Sequence, residues 1–525
     1  MQIDLETVAS GTSFRSDVCI VGGGVAGLIL ASRLTEAGLE VHLLEAGGLT
    51  NEERSQSLYD ARMVGNYHHG TRSGRHRFLG GSSTHWAGQL LSYTDEIFLP
   101  RPEVAHVGWP ISGADIASYY PEIFRIMGVN ALPFENFLLD GGPTFPVESD
   151  DMRIRFSKWA PFQFRNLGKT LGKKCLQSER MTLFLHANAL SIELGREGGR
   201  VEKVIAKNYQ GGTTDFTARQ FIICAGTIET SRLLLASNSF HPAGVGNRHD
   251  QVGRYFHDHV GIVAAGLSLP DRSRLMKWFS PYFIQNTLHT AKLEATARLK
   301  KEKNLLAVSA YFSIEESSES GIAMVRHLMR ALQGGRLPAE AKLDPKKIPR
   351  QFYDLVRTWV DLKVRGRRYP SRDASITLRM EVEQVPRADS RIGLIEKTDA
   401  LGMRIASVDW KQSAEEGKSL RDYSSVVDAA LKSLGAEGPQ WNRSLSSEPE
   451  EWLKGSFDMF HPMGGARMGT DPATSVVDRD LRVHGIGNLY IASCAVFPTG
   501  GSSNSTFTLM ALALRLADRL ALSRS

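Results

Sequence analysis

The residues of this chain whose types and spacing could do chemistry fall into three groups. Gly22, Gly24 and Gly27 form the GxGxxG of GGGVAG, and Glu45 follows some twenty residues later. A dinucleotide needs this set. Gly22 allows the tight turn, Gly24 lets the backbone approach a pyrophosphate, and Gly27 lets a helix pack closely on a strand. Amides at the helix start then meet the phosphates, and Glu45 can accept from both ribose hydroxyls. The spacing does not separate NAD from FAD. A second group is histidine-rich: His68, His69, His76 and His85, with His257, Asp258 and His259 further on. The four early histidines match no zinc-type spacing, and no cysteine or carboxylate cluster joins them in sequence. Side chains of adjacent residues on an extended chain point apart, so 257–259 also reads as no metal site. The third group is late. His461 precedes Pro462, Gly464 and Gly465, and Asn504 sits among small residues in TGGSSNST. Taken singly, His461 reads as structural and Asn504 as a helix cap.

These groups need elements to hold them. DVCIV reads as a buried strand, with an apolar-periodic helix to about Ala37, a stop at Gly38 and a second strand at 40–44. The loop LGGSSTHWAG can lay its backbone flat against a planar or anionic ligand. A helix is expected after Gly108-Trp109-Pro110, with Ser112 as its N-cap and Tyr119-Tyr120-Pro121 inside it. From 150 to about 194 the pattern turns toward strands, with MTLFLHANALSIEL alternating and β-like, and 220–224 reads as a buried strand running into Ala225-Gly226-Thr227 and a helix. Residues 375–382 and 390–395 read as strands, 414–434 as a helix, 489–492 as a strand and 507–522 as a closing helix.

Composition sets bounds. A chain of 525 residues exceeds a single core. Its 42% hydrophobic and 23% charged residues are ordinary for a globular protein, and no run reaches a membrane-spanning length. The polar N-terminus has no export-signal pattern, and four scattered cysteines form no CxxC, so a reduced cytoplasm is expected. The net charge of +6 is uneven, because 321–370 holds 12 Lys+Arg against 4 Asp+Glu. This segment also has helical apolar spacing. A membrane surface or an acidic partner is one reading of it, and a solvated helical excursion with a basic outer face is the simpler one. No nucleic-acid motif accompanies the charge.

Read together, GGGVAG with Glu45, LGGSSTHWAG, AGTIETSRLLLAS, VGRYFHDH, EQVPRADSRIGL, HPMGGARMG and the tail from LYIASC onward resemble the GMC (glucose–methanol–choline) flavin oxidoreductases. STHW and NSTFT look most like the pyranose oxidase and bacterial sugar-dehydrogenase branch. The resemblance implies an α/β fold. A discontinuous Rossmann-like FAD-binding domain would comprise 14–110, 180–262 and 455–525. An α+β substrate domain on a mainly antiparallel sheet would comprise 111–179 and 263–454, with the basic excursion at 321–370. FAD would meet Gly22, Gly24, Gly27 and Ala46, with Glu45 at the adenosine ribose and Ala189 at the adenine. Arg77 and the loop residues Gly80, Gly81, Ser82, Ser83, His85, Trp86, Ala87 and Gly88 would line it, and Ala225, Ser493 and Thr506 would complete the pocket. His85 matches a histidine that some members join covalently to the flavin and others do not.

The family's catalytic pair maps onto His461 and Asn504. His461 would take the proton of a secondary hydroxyl of a sugar, glycoside or polyol as hydride leaves for flavin N5. Asn504 would donate to the substrate oxygen. Ala87 stands where pyranose oxidases usually carry Thr, and Ser493 where the family usually carries Asp. The acceptor is therefore open between oxygen, a quinone and a redox partner. A flavin-containing lyase or cyclase and a dehydrogenase subunit of a larger complex, exported with its partner, are the alternative readings.

Overall fold

The run DVCIV is the buried end of a longer strand, Thr12–Val21, in which Cys19 and Ile20 are fully enclosed. An uninterrupted apolar run of this kind suits a parallel strand covered on both faces. The computed structural model describes residues 1–102, 104–105, 108–135, 147–325, 347–371 and 373–522. Its first sheet runs Gln2–Asp4, Met181–Leu185, Val41–Leu44, Thr12–Val21, Thr213–Ile223, Val201–Lys207 and Asn188–Leu194. The pairings are parallel as far as Thr213–Ile223 and antiparallel beyond it. Leu489–Ile491 pairs in parallel with Phe221 to Ile223, so the chain's last strand closes the sheet begun by its first residues. The helix Val25–Glu36 packs against the closing helix Ser505–Leu522.

The second sheet is antiparallel along its main path: Gln440–Trp441, His259–Gly266, Ser375–Glu383, Val308–Glu315, Thr287–Ala295, Met152–Trp159 and Gln89–Leu90. A small third sheet joins Arg391–Thr398, Arg404–Asp409 and Ala61–Met63. Each large sheet has its own apolar core. The strand His259–Gly266 runs across the expected boundary at 262/263, and Gln89–Leu90 pairs with the second sheet.

Three local expectations need correction. The helix after Trp109 is two helices, Ala114–Ala117 and Tyr120–Met127, because Pro121 opens the second. Ser112 does not cap; its amide and hydroxyl both donate to the Asp115 carboxylate. MTLFLHANALSIEL is β-structured as read, in two strands, Met181–Leu185 and Asn188–Leu194, with the chain turned between them at His186, φ 52°. In the basic excursion the helix Ile348–Val364 forms, and its outer face is mixed: Arg350 and Lys363 are exposed, but so are the apolar and aromatic Phe352, Tyr353, Val356, Trp359 and Val364. Gln351 and Asp361 turn inward: Gln351 donates to the Glu319 carbonyl, and Asp361 pairs with the exposed Arg365. The preceding helical stretch falls largely in 326–346, outside the described residues.

Candidate active site

A single cavity gathers the first and last motifs of the chain. Its wall includes Gly22, Gly24, Glu45, Ala46, Arg77, Gly81, Ser82, Ala189 and Ala225 from the first two thirds. His461, Ser493 and Thr506 come from the tail. Gly22 holds φ 107°, and a Cβ there would lie 2.6 Å from the Cys224 carbonyl oxygen. Gly27 faces away from the cavity, and a Cβ there would strike Gly22 O at 2.0 Å. A Cβ on Gly24, by contrast, would meet no atom within 4 Å. The turn is thus tight against its own strand and helix and open on the cavity side. Gly24 caps Val25–Glu36 without a side-chain hydrogen bond, so the helix-start amides are available to an anion.

Glu45 is buried, and its two oxygens accept from the amides of Gly23 and Gly47, each at 3.0 Å. Burial pushes its carboxyl upward, against the Gly47 and Gly23 amides and the Arg77 charge. A carboxylate has about four acceptor positions, so capacity remains for a ribose. Arg77 reaches Asn188 at 3.1 Å and Glu229 at 3.5 Å, while its Nε has no hydrogen-bond partner. This open glycine turn, uncapped helix start and buried carboxylate fit the pyrophosphate and ribose of FAD.

The loop 80–88 splits in two. Gly81 lies against Gly24, where a Cβ would meet Gly24 Cα at 3.2 Å, and Gly80 donates to Gly23 O at 2.8 Å. Gly80, Ser83, His85, Trp86, Ala87 and Gly88 do not face the cavity. Ser83 donates to Gly80 O at 2.6 Å and Trp86 to Arg165 O at 2.8 Å, so these residues shape the loop. His85 stacks on His76 at 3.9 Å, and His76 is the ring that lines the cavity. Ser493 accepts from the Ala495 amide and lies 3.4 Å from Thr230 Oγ1.

At the other end His461 Nε2 lies 3.1 Å from Asn504 Nδ2. Asn504 directly precedes Ser505–Leu522, yet its Oδ1 is buried with no partner, so it does not serve as a cap. His461 Nδ1 lies 2.9 Å from His259 Nδ1. The backbone explains the meeting. His257 pairs antiparallel with Met463, which sets His259 opposite His461 on one face. Beyond them the register slips, since Val260 pairs with Asp458, and Phe460 absorbs the slack at φ 60°.

Two of the four early histidines, His68 and His69, are joined by carboxylates after all. His68 Nε2 lies 3.1 Å from Asp258 and 3.9 Å from Asp458, all three buried. Asp258 also accepts from the amides of His259, Met459 and His461, and Asp458 from those of His69 and Gly70. These oxygens are occupied in holding 457–461 in place. Sequence order hides such a cluster because its members lie nearly 400 residues apart.

The chain matches a family model described as GMC oxidoreductase over residues 386–513, and one described as FAD dependent oxidoreductase over 17–244. It is 25% identical to the 6'''-hydroxyparomomycin C oxidase of Streptomyces lividus, over 97% of this chain and 92% of that protein. It is 24% identical to the fructose dehydrogenase large subunit of Gluconobacter japonicus, over 97% and 98%. Among solved structures, pyridoxine 4-oxidase from Mesorbium loti superposes with a TM-score of 0.58 at 17% identity, covering 96% of this chain and 98% of that one.

Proposed function

We propose that this chain is an FAD-using oxidoreductase of the GMC family that oxidises a secondary hydroxyl of a sugar, glycoside or related polyol to the ketone, as the two family matches and the named relatives support. The observation that carries this reading is that His461 lines the same cavity as the glycine turn, with Asn504 Nδ2 behind the cavity wall 3.1 Å from its Nε2. FAD, when bound, supplies the acceptor for the carbinol hydrogen. The first sheet and closing helix would hold that cofactor, and the antiparallel sheet would shape the substrate side. Gly22, Gly24 and the helix start would take the pyrophosphate, with Glu45, Ala46 and Ala189 toward the adenosine.

His461 Nε2 would take the hydroxyl proton. Burial, then His259, then Lys292 hold its imidazole well below the usual range, so it stands neutral and able to accept. Asn504 would donate from Nδ2 to the substrate oxygen and steady the charge that develops there. His461→Ala should keep FAD and lose anaerobic flavin reduction by about 10²–10⁴-fold. Stopped-flow bleaching at the unaltered rate would sink the assignment.

Named relatives include an oxidase and a dehydrogenase subunit, so the electrons' destination is a separate question. Reoxidation by oxygen against a quinone, in the same instrument, answers it. Among the described residues no helix is long and apolar enough to cross a membrane. Four free cysteines, three of them buried, support a reducing compartment. Fractionation of the producing cells tests that placement.

A further inference from the structure

We propose that His259 is a positioning residue that fixes the tautomer of His461, keeping the proton on Nδ1 and the lone pair on Nε2. The catalytic meaning of this rests on His461 being the base. A carbonyl oxygen accepts hydrogen bonds and cannot donate one. His259 Nε2 faces two carbonyls, Gly501 O at 2.9 Å and Gly500 O at 3.2 Å. It must therefore carry the hydrogen. In the neutral ring His259 Nδ1 is then an acceptor, and its neighbour at 2.9 Å is His461 Nδ1. That nitrogen must donate, so it holds the hydrogen of the second ring. His461 Nε2 is left bare, and Asn504 must turn its NH₂ toward it at 3.1 Å. Two backbone carbonyls thus set, through two imidazoles, which end of the amide faces the catalytic nitrogen.

No other described group does this for the ring. Asp258 touches His461 only at its backbone amide, at 2.8 Å, and so fixes where the residue sits and not which nitrogen is protonated. Asn504 can bond either tautomer by turning over its amide, so it follows the choice and does not make it. The His259 ring is buried at the start of the strand His259–Gly266 and pinned at Nε2, so its own orientation is held. This is the arrangement by which a residue behind a catalytic histidine governs its nitrogen without touching substrate.

The test uses the FAD-loaded full chain labelled with ¹⁵N-histidine, with the His461 signals assigned by their loss in His461→Gln. Wild type should show a protonated, pyrrole-type Nδ1 and a bare, pyridine-type Nε2. His259→Phe removes the acceptor and should shift His461 toward the Nε2-protonated form. Flavin reduction should then slow on the order of 100-fold with little change in substrate dissociation constant. His259→Asn, whose Oδ1 can accept from Nδ1–H, should restore most of the rate. A wild-type signal with the proton on Nε2 would overturn the proposal, and so would a His259→Phe variant that reduces flavin at the native rate. The wild-type spectrum decides even where the Phe variant does not fold. Failure of His461 as base would instead appear in His461→Ala and leave the nitrogen shifts as they are.

Discussion

His461 carries a charge penalty from three directions: burial first, then the neighbouring His259, then the Lys292 ammonium. An ordinary imidazole loses half its base form at 6.5, but this one stays neutral well below that. Flavin reduction should therefore stay level as pH falls from mildly alkaline through 6.5 and decline only in acid. A kinetic inflection near 6.5 would show that some other group takes the proton. The role of His259 could not be read from the sequence, for a specific reason. In VGRYFHDH the alternation rule sends neighbours apart, and it does so here, since His257 Nδ1 bonds Tyr255 O at 2.7 Å. What the rule cannot supply is the partner strand, and the pairing of His257 with Met463 is what brings His259 to His461.

His186 is the hinge of its element. It joins Met181–Leu185 to Asn188–Leu194, and its amide and that of Ala187 bond the carbonyls of Gly47 and Glu45. Its ring bridges Asp4 at 2.9 Å and Glu52 at 3.1 Å. Burial works against the charged ring, yet the bonds to Asp4 and Glu52 win and hold the imidazole above its usual range. A raised value in the folded state means the stabilisation is complete below about 6.5, the unfolded value, and is lost as pH rises through the folded one. Melting curves of wild type and His186→Gln should therefore converge with rising pH, and parallel curves would refute the bridge. The strands on either side were legible as apolar alternation. The break was not, because alternation continues in register across a residue whose positive φ comes from contacts far away in sequence. Strands and helices around the glycine turn were legible for the opposite reason: there the geometry is local, and Gly22, Gly27 and Gly38 mark it residue by residue.

Across the molecule, the second sheet holds the loop that carries Asn504. Glu383 accepts from the Gly501 amide at 2.9 Å and pairs with both terminal nitrogens of Arg101 at 2.7 Å. Lys292, paired with Glu381, donates to Ser502 O at 3.3 Å, and Arg155 reaches Ser503 at 3.4 Å. Burial would raise the Glu383 carboxyl, but Arg101 and the amides bring it down to about 2. Its contribution is thus full above the unfolded value near 4.3 and fades as pH falls toward 2. Glu383→Gln should cost about 3 kcal/mol in denaturant titrations and slow flavin reduction as well. A stable but slow variant, or a fast but unstable one, would separate the two roles. The family blocks were legible in the sequence, but this strapping was not, because buried charges on alternating strands look like ordinary surface residues until their partners are known. The closing strand has a last consequence, for synthesis. Phe221, Ile222 and Ile223 pair with Leu489–Ile491, made a whole domain's length later. At about 5–20 residues per second, a nascent chain carries this apolar edge uncovered for tens of seconds. An open apolar strand edge is a template for wrong partners. Yield on expression should thus depend on how fast the ribosome delivers the tail and on what shields the edge until then.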